Sequence, residues 1–280
     1  MNPDLPKMDR EDYTDPQCPF CTDQYQKEPQ TRPIPTARIL EKLDEFLSRN
    51  DYAGAERLLL YWVEEATLGQ DLRGEFQLRN ELMGLYRKLG RRDAAMENAD
   101  LALSLAEKIG ISQSIAGATA LLNAATVRKA FGLAAEAIPL YEKARAIYEA
   151  GLKSNDPRLA GLYNNMSLAL VDLGRLKEAR ALYEKAISVL STSEGNEPEI
   201  AVTYLNLANL EEAEYGLEDG AEAIEADLAS AEAFLNTAGQ KQDGNYAFVC
   251  EKCAPSFEYY GHFAFAAELA ERAKRIYERA

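Results

Sequence analysis

A single histidine, His262, serves the whole chain of 280 residues. One imidazole cannot supply a catalytic dyad together with metal ligands, and no Ser-His-Asp arrangement can be drawn around it. A solvated turn is the simpler place for it. Phosphate-binding loops are missing too: Gly84 and Gly117 stand alone in helical context, without the glycine–lysine–hydroxyl ending such a loop needs. Positive charge is scarce, with 31 Lys and Arg against 46 Asp and Glu and a net charge of −15. Such a chain repels phosphate backbones, which argues against nucleic acid as a partner. The same acidity also serves to keep a chain in solution. Glu211, Glu212 and Asp219 read as part of solvated faces. No apolar stretch approaches the roughly 20 residues of a membrane span, and the N-terminal residues carry no apolar signal core, so the expected location is cytoplasmic. Four cysteines are too few for a disulfide scaffold. These absences leave no enzyme class to assign.

A period is what remains. Gly90, Gly132, Gly174 and Gly216 are spaced 42 residues apart, and Gly261 follows 45 further on. Five residues after each comes an alanine: Ala95, Ala137, Ala179, Ala221 and Ala266. Asn50 and Ala55 look like a degenerate first copy. A fixed period of this size means stacked repeats. Apolar residues recur at helical spacing from Thr36 onward, with almost no strand-like alternation. The glycine suits a left-handed turn between two antiparallel helices, and the alanine lets the second helix approach the first. Six helix pairs are expected, over 36–69, 71–110, 112–152, 156–194, 198–238 and 244–280. Asp156 before Pro157, and Asn196 before Glu197-Pro198, mark helix starts. The alanine-rich second helix of the fifth pair leaves its register open by a residue or two. The run Leu58–Val63 with Trp62 is expected to seal the first repeat. Tyr141, Tyr183, Tyr148 and Tyr277 are expected to be interhelix filler, and the charged last helix to cap the array.

Residues 1–35 differ from the rest, holding seven of the eleven prolines. Proline fixes φ and removes a donor, so no long helix runs here. The chain therefore divides into a Pro-rich extended or disordered arm, 1–35, and a helical domain, 36–280.

Leu-Tyr-Glu-Lys-Ala at 140–144 recurs at 182–186, and Leu121–Ala125, Leu162–Met166 and Tyr204–Ala208 match one another in register. With the glycine–alanine pairs, these residues make the chain resemble the tetratricopeptide repeat (TPR), in the 42-residue form found in kinesin light chains. The resemblance covers 36–280. It implies an all-α, right-handed superhelix of about six antiparallel helix pairs, with the first helix of each pair lining the concave side. It implies a protein or peptide segment as partner and leaves the oligomeric state open.

On that frame, the positions ten and nine residues before each glycine face the groove: Asn80 and Glu81, Leu122 and Asn123, Asn164 and Asn165, Asn206 and Leu207. Asparagine is a poor helix former. Its amide offers an acceptor and two donors, which is what pairing with a peptide backbone needs. Asn80, Asn123, Asn164, Asn165 and Asn206 are thus candidate peptide contacts. Arg87 and Lys129 flank them, with Lys252 a further candidate, to hold an acidic side chain or a terminal carboxylate. The amides could equally bond to one another across adjacent first helices.

The cysteines form two Cys-x-x-Cys pairs, Cys18/Cys21 in the arm and Cys250/Cys253 in the last repeat. Four thiolates can close a tetrahedral zinc site. Pro255 is expected to kink or end its helix and so turn both thiols outward. At about 3.3 Å per residue the stretch from Cys21 to Thr36 could cover roughly 50 Å, enough for the arm to lie in the groove and reach the last repeat. A zinc-locked or redox-responsive module is the alternative function this raises. Against it, Cys250 and Cys253 fall on positions that the resemblance makes core, where cysteine packs as a small hydrophobe.

Overall fold

The computed structural model describes residues 31–237 and 241–279, and within them the chain forms twelve α-helices and no strand. The helices are α1 (Thr36–Ser48), α2 (Tyr52–Leu68), α3 (Leu72–Lys88), α4 (Arg92–Lys108), α5 (Ile115–Ala130), α6 (Ala134–Gly151), α7 (Pro157–Asp172), α8 (Leu176–Leu190), α9 (Glu197–Asp219), α10 (Ala221–Leu235), α11 (Gly244–Tyr259) and α12 (Phe263–Tyr277). They pack as six consecutive antiparallel pairs, the all-α solenoid that the period implies.

Local chemistry sets the boundaries. Asp51, Asp71, Ser114, Asp156 and Asp243 cap α2, α3, α5, α7 and α11 by accepting backbone N–H bonds from the first helical turn. Between the helices of a pair, Gly90, Gly132, Gly174, Gly216 and Gly261 take φ between +69° and +88°, a region where a Cβ clashes with the neighbouring carbonyl. Asn50 takes φ +56° in the first pair, so the degenerate copy is structurally real. Two residues past Gly174 the next helix begins, and Ala179 is fully buried, as are Ala95 and Ala137.

The fifth pair departs from this register. Ala221 is exposed and Gly220 is buried in its stead. A Cβ on Gly220 would stand 2.7 Å from the Gly216 carbonyl oxygen, so only glycine fits the shortened turn. Gly216 itself sits inside α9 with φ +80° and ψ 171°, so the three residues after it already belong to the returning helix.

Consecutive first helices touch one another: α3 with α5, α5 with α7, α7 with α9 and α9 with α11. Among the described residues no comparable contact joins consecutive second helices. Close spacing on one side and wide spacing on the other make an array curve, with the first helices inside. The curvature brings the ends together. Phe248 of α11 shares a cleft of about 390 Å³ with Leu43 and Leu47 of α1 and with Gly84, Arg87 and Lys88 of α3.

Several sequence expectations give way here. Pro255 does not end α11, which runs on to Tyr259. Its ring lies on the exposed face, where water can take the carbonyl that the missing N–H leaves free. Tyr277 is exposed although Tyr141, Tyr148 and Tyr183 are buried. In the first pair Leu59 and Val63 are buried and Trp62 partly so, whereas Leu60 and Tyr61 face solvent. Glu211 is buried, not solvated, and forms a close ion pair with Arg180 of α8, whose other branch holds Glu214 at 2.7 Å.

Residues 31–35 form an extended stretch against the α2–α3 corner. The Arg32 N–H donates to the Gly69 carbonyl at 2.8 Å, and Ile34 packs over Gly74.

Candidate interaction groove

The five asparagines do share the first-helix side, and all are half-buried, but they do not behave alike. Asn80 Nδ2 donates to the Phe76 carbonyl at 3.2 Å, and its Oδ1 accepts from Asn123 Nδ2 at 3.4 Å. Asn164 Nδ2 donates to Thr203 Oγ1 of α9 at 2.9 Å. These two contacts bridge adjacent first helices, α3 to α5 and α7 to α9, so part of the amide row holds the inner wall together. Asn165 donates only to its own helix, at Gly161 O, 2.9 Å away, which leaves its carbonyl oxygen open. Asn206 makes no side-chain hydrogen bond among the described residues. Those two amides have capacity to spare, and the buried Oδ1 of Asn164 also has no partner among the described residues.

Of the two flanking cations, Lys129 pairs with Asp172 at the end of α7, 3.5 Å away. Arg87 has no ion pair among the described residues and lines the cleft beside Phe248. Its charge reaches Tyr141. Burial pushes that phenol up to about 12, partly offset by the bond to Thr126 and by Arg87. Glu81 reaches the surface, yet the cleft walls crowd it. That desolvation, with the nearby Asp44 carboxylate, raises its pKa. Between Glu81 and Arg87 lies Gly84, where a Cβ would meet nothing within 4 Å; the α3 backbone is bare to the groove at that point. Lys252 joins Lys88, Asn50, Tyr52, Glu251 and Tyr277 around an adjoining cavity of about 610 Å³.

The arrangement offers hydrogen-bonding amides, one unpaired guanidinium, a bare stretch of helix and an apolar cleft. Amides and a guanidinium of this kind are groups that pair with the backbone and carboxylates of a polypeptide. His262 stands at the N-cap position of α12 without a side-chain cap bond, its Nε2 3.1 Å from Glu225 and its ring edge-on to Phe257.

Cys250 and Cys253 point inward. Both are fully buried, in a core with Tyr246, Val249, Phe257 and Leu269. Burial raises both thiols, Cys253 to about 12, and this opposes the thiolate form that metal binding and redox exchange require. Cys18 and Cys21 lie outside the described residues. Among the described residues no group of three or more His, Cys, Asp or Glu is gathered for a metal ion.

Sequence reading missed Phe248, Thr203 and the Arg180–Glu211–Glu214 network. Phe248 was hidden because its cleft closes between the first and last pairs, which no local pattern reports. The network carries one signal: Arg180 sits one residue after the repeat alanine, the position from which it meets the next first helix.

The tetratricopeptide repeat family model matches residues 159–191, within the fourth pair. The crystal structure of BtubC (BKLC) from P. vanneervenii is similar in fold, with a TM-score of 0.61 at 20% identity over 73% of this chain and 83% of that one. So is a putative kinesin light chain of Podosopora anserina with nearly identical TPR-like repeats, with a TM-score of 0.50 at 20% identity over 71% of this chain and 93% of that one. No curated protein matches the sequence. The fold is thus a TPR solenoid of the kinesin-light-chain kind. Repeats of this class typically mediate protein–protein interaction. None of the described helices is long and apolar enough to cross a membrane.

Proposed function

We propose that the chain is a non-enzymatic interaction scaffold that holds a polypeptide segment along the inner face of its repeats. The observation that carries this reading is the set of groups on the first helices without a partner among the described residues: the carbonyl oxygen of Asn165, the amide of Asn206, the Arg87 guanidinium with no ion pair, and the bare backbone at Gly84. A buried polar row whose only task was structural would satisfy itself; here Asn80 pairs with Asn123 and the Asn164 Nδ2 with Thr203, but the buried Asn164 Oδ1 has no partner among the described residues. Amides grip a peptide backbone with little regard to its side chains, and Arg87 adds a preference for a carboxylate at one end. Binding here needs a preorganised surface and no chemistry.

The test is a capture experiment with purified chain on a solid support. Asn165→Ala combined with Asn206→Ala should leave the circular dichroism and melting curve unchanged and remove the captured polypeptides. Capture that survives both changes would place the ligand elsewhere.

A further inference from the structure

The net charge of −15 is not spread along the chain. Residues 186–240 contain twelve Asp and Glu and neither Lys nor Arg, so the fifth pair holds most of the excess. At the turn of this pair the acidic residues meet exposed apolar ones. Tyr215 and Leu217, on either side of Gly216, are 52% and 53% exposed; Tyr259 and Phe263, at the turn of the sixth pair, are 62% and 65% exposed; Leu173 at the turn of the fourth is 39% exposed. Half of the ten large hydrophobic residues that the described structure leaves exposed therefore lie at these three turns.

Cross-links between repeats hold the turns side by side. Arg180 of α8 reaches Glu214 of α9, and Glu212 of α9 accepts from Tyr259 at 2.6 Å and from Tyr260 at 2.8 Å. The two tyrosine rings stand edge to face, 4.9 Å apart. The aromatic rings are thus fixed before any partner arrives, which lowers the entropy lost on binding. Around them Glu218, Asp219 and Glu222 are exposed and carry no ion pair among the described residues.

We infer that this turn edge is a second docking surface, separate from the groove, for a Lys- and Arg-rich amphipathic segment of another protein. An apolar patch with a carboxylate rim complements apolar residues flanked by cations. A second copy of this chain would bring its own negative edge against this one. Residues 1–30 hold seven Asp and Glu against three Lys and Arg, so the arm has the wrong sign for the site.

The experiment measures binding of a short fluorescent Leu/Lys amphipathic peptide by anisotropy, with a Leu/Glu peptide as the negative control. Replacing Glu218, Asp219 and Glu222 together by lysine should weaken the Leu/Lys peptide about tenfold, or about 1.4 kcal/mol. Leu217→Ser with Phe263→Ser should weaken it comparably. Replacing Glu64, Glu97 and Glu107 by lysine changes the net charge equally on other exposed faces and should leave binding intact, as should the groove change Asn165→Ala. Equal losses in both lysine triples would reduce the effect to the overall field and overturn the inference, as would binding that ignores the edge variants. Sedimentation showing a dimer that Leu217→Ser with Phe263→Ser dissolves would assign the edge to self-association instead.

Discussion

Asp71 ties the N-terminal stretch to the repeat array through a single carboxylate. Its Oδ1 accepts from the Gly74 N–H at 3.0 Å, capping α3, while its Oδ2 accepts from the Ile34 N–H at 2.9 Å. The side chain is almost fully buried, and neither bond has a water-exposed substitute. Replacing Asp71 with alanine should therefore lower stability by about 2 kcal/mol, the upper end for a lost cap, and free residues 31–35. Hydrogen exchange checks both at once: the Ile34 amide should lose protection along with the first turn of α3. Retained protection at Ile34 would mean that its packing over Gly74 suffices.

Two repeat-equivalent tyrosines make a matched test of polar burial. The Tyr141 hydroxyl lies 3.1 Å from Thr126 Oγ1. Forty-two residues on, Tyr183 is as deeply buried, but Leu168 stands where Thr126 would, and the Tyr183 hydroxyl has no partner among the described residues. Tyr141→Phe should cost about 1 kcal/mol, the net worth of a typical hydrogen bond. Tyr183→Phe should not destabilise, since it removes an orphan. Urea unfolding of the two variants distinguishes them; equal losses would point to a bond at Tyr183 formed through water.

The acid face of the fifth pair should respond to pH. Burial, aided by the Glu211 carboxylate and opposed by Arg180, raises Asp227 from 3.8 to about 6. Between those values the folded chain keeps a proton that the unfolded chain has lost, so this residue's contribution falls as pH rises from about 4 to about 6. Asp227→Asn should flatten that part of the stability profile and raise stability at neutral pH. A variant whose profile matches the parent's would show that Asp227 titrates normally.

Removing Arg180 should be more damaging than removing either of its partners. Arg180→Met leaves Glu211 buried without a countercharge, a loss of about 2–3 kcal/mol. Glu214→Gln removes only the more exposed branch and should cost under ~1 kcal/mol. The comparison of thermal midpoints checks this order.

How far the sequence reveals this molecule depends on the range over which each feature acts. The helix pairs were legible because glycine, alanine and capping residues act within one turn, and Asn50 betrayed the first copy by the same logic. The slip from Ala221 to Gly220 was not, because an alanine-rich helix offers several equivalent registers and only the approach of the Gly216 carbonyl selects one. The inward thiols followed from their repeat position, whereas the outward turn expected from Pro255 misled: a proline on a helix's wet face gives up one bond and the helix continues past it. Asparagine spacing found the inner wall but could not tell the amides that serve the wall from those that remain open, since that depends on Thr203 and on neighbours 42 residues away.

The groove account is tested most directly by placing a photo-reactive benzoylphenylalanine at position 165, at 206, and at exposed position 97 on α4 of the convex side. After irradiation with captured partner, positions 165 and 206 should each form a covalent adduct whose digest yields one continuous partner segment, and position 97 should form none. Adducts at 97 but not at 165 or 206 would contradict the groove as the binding face.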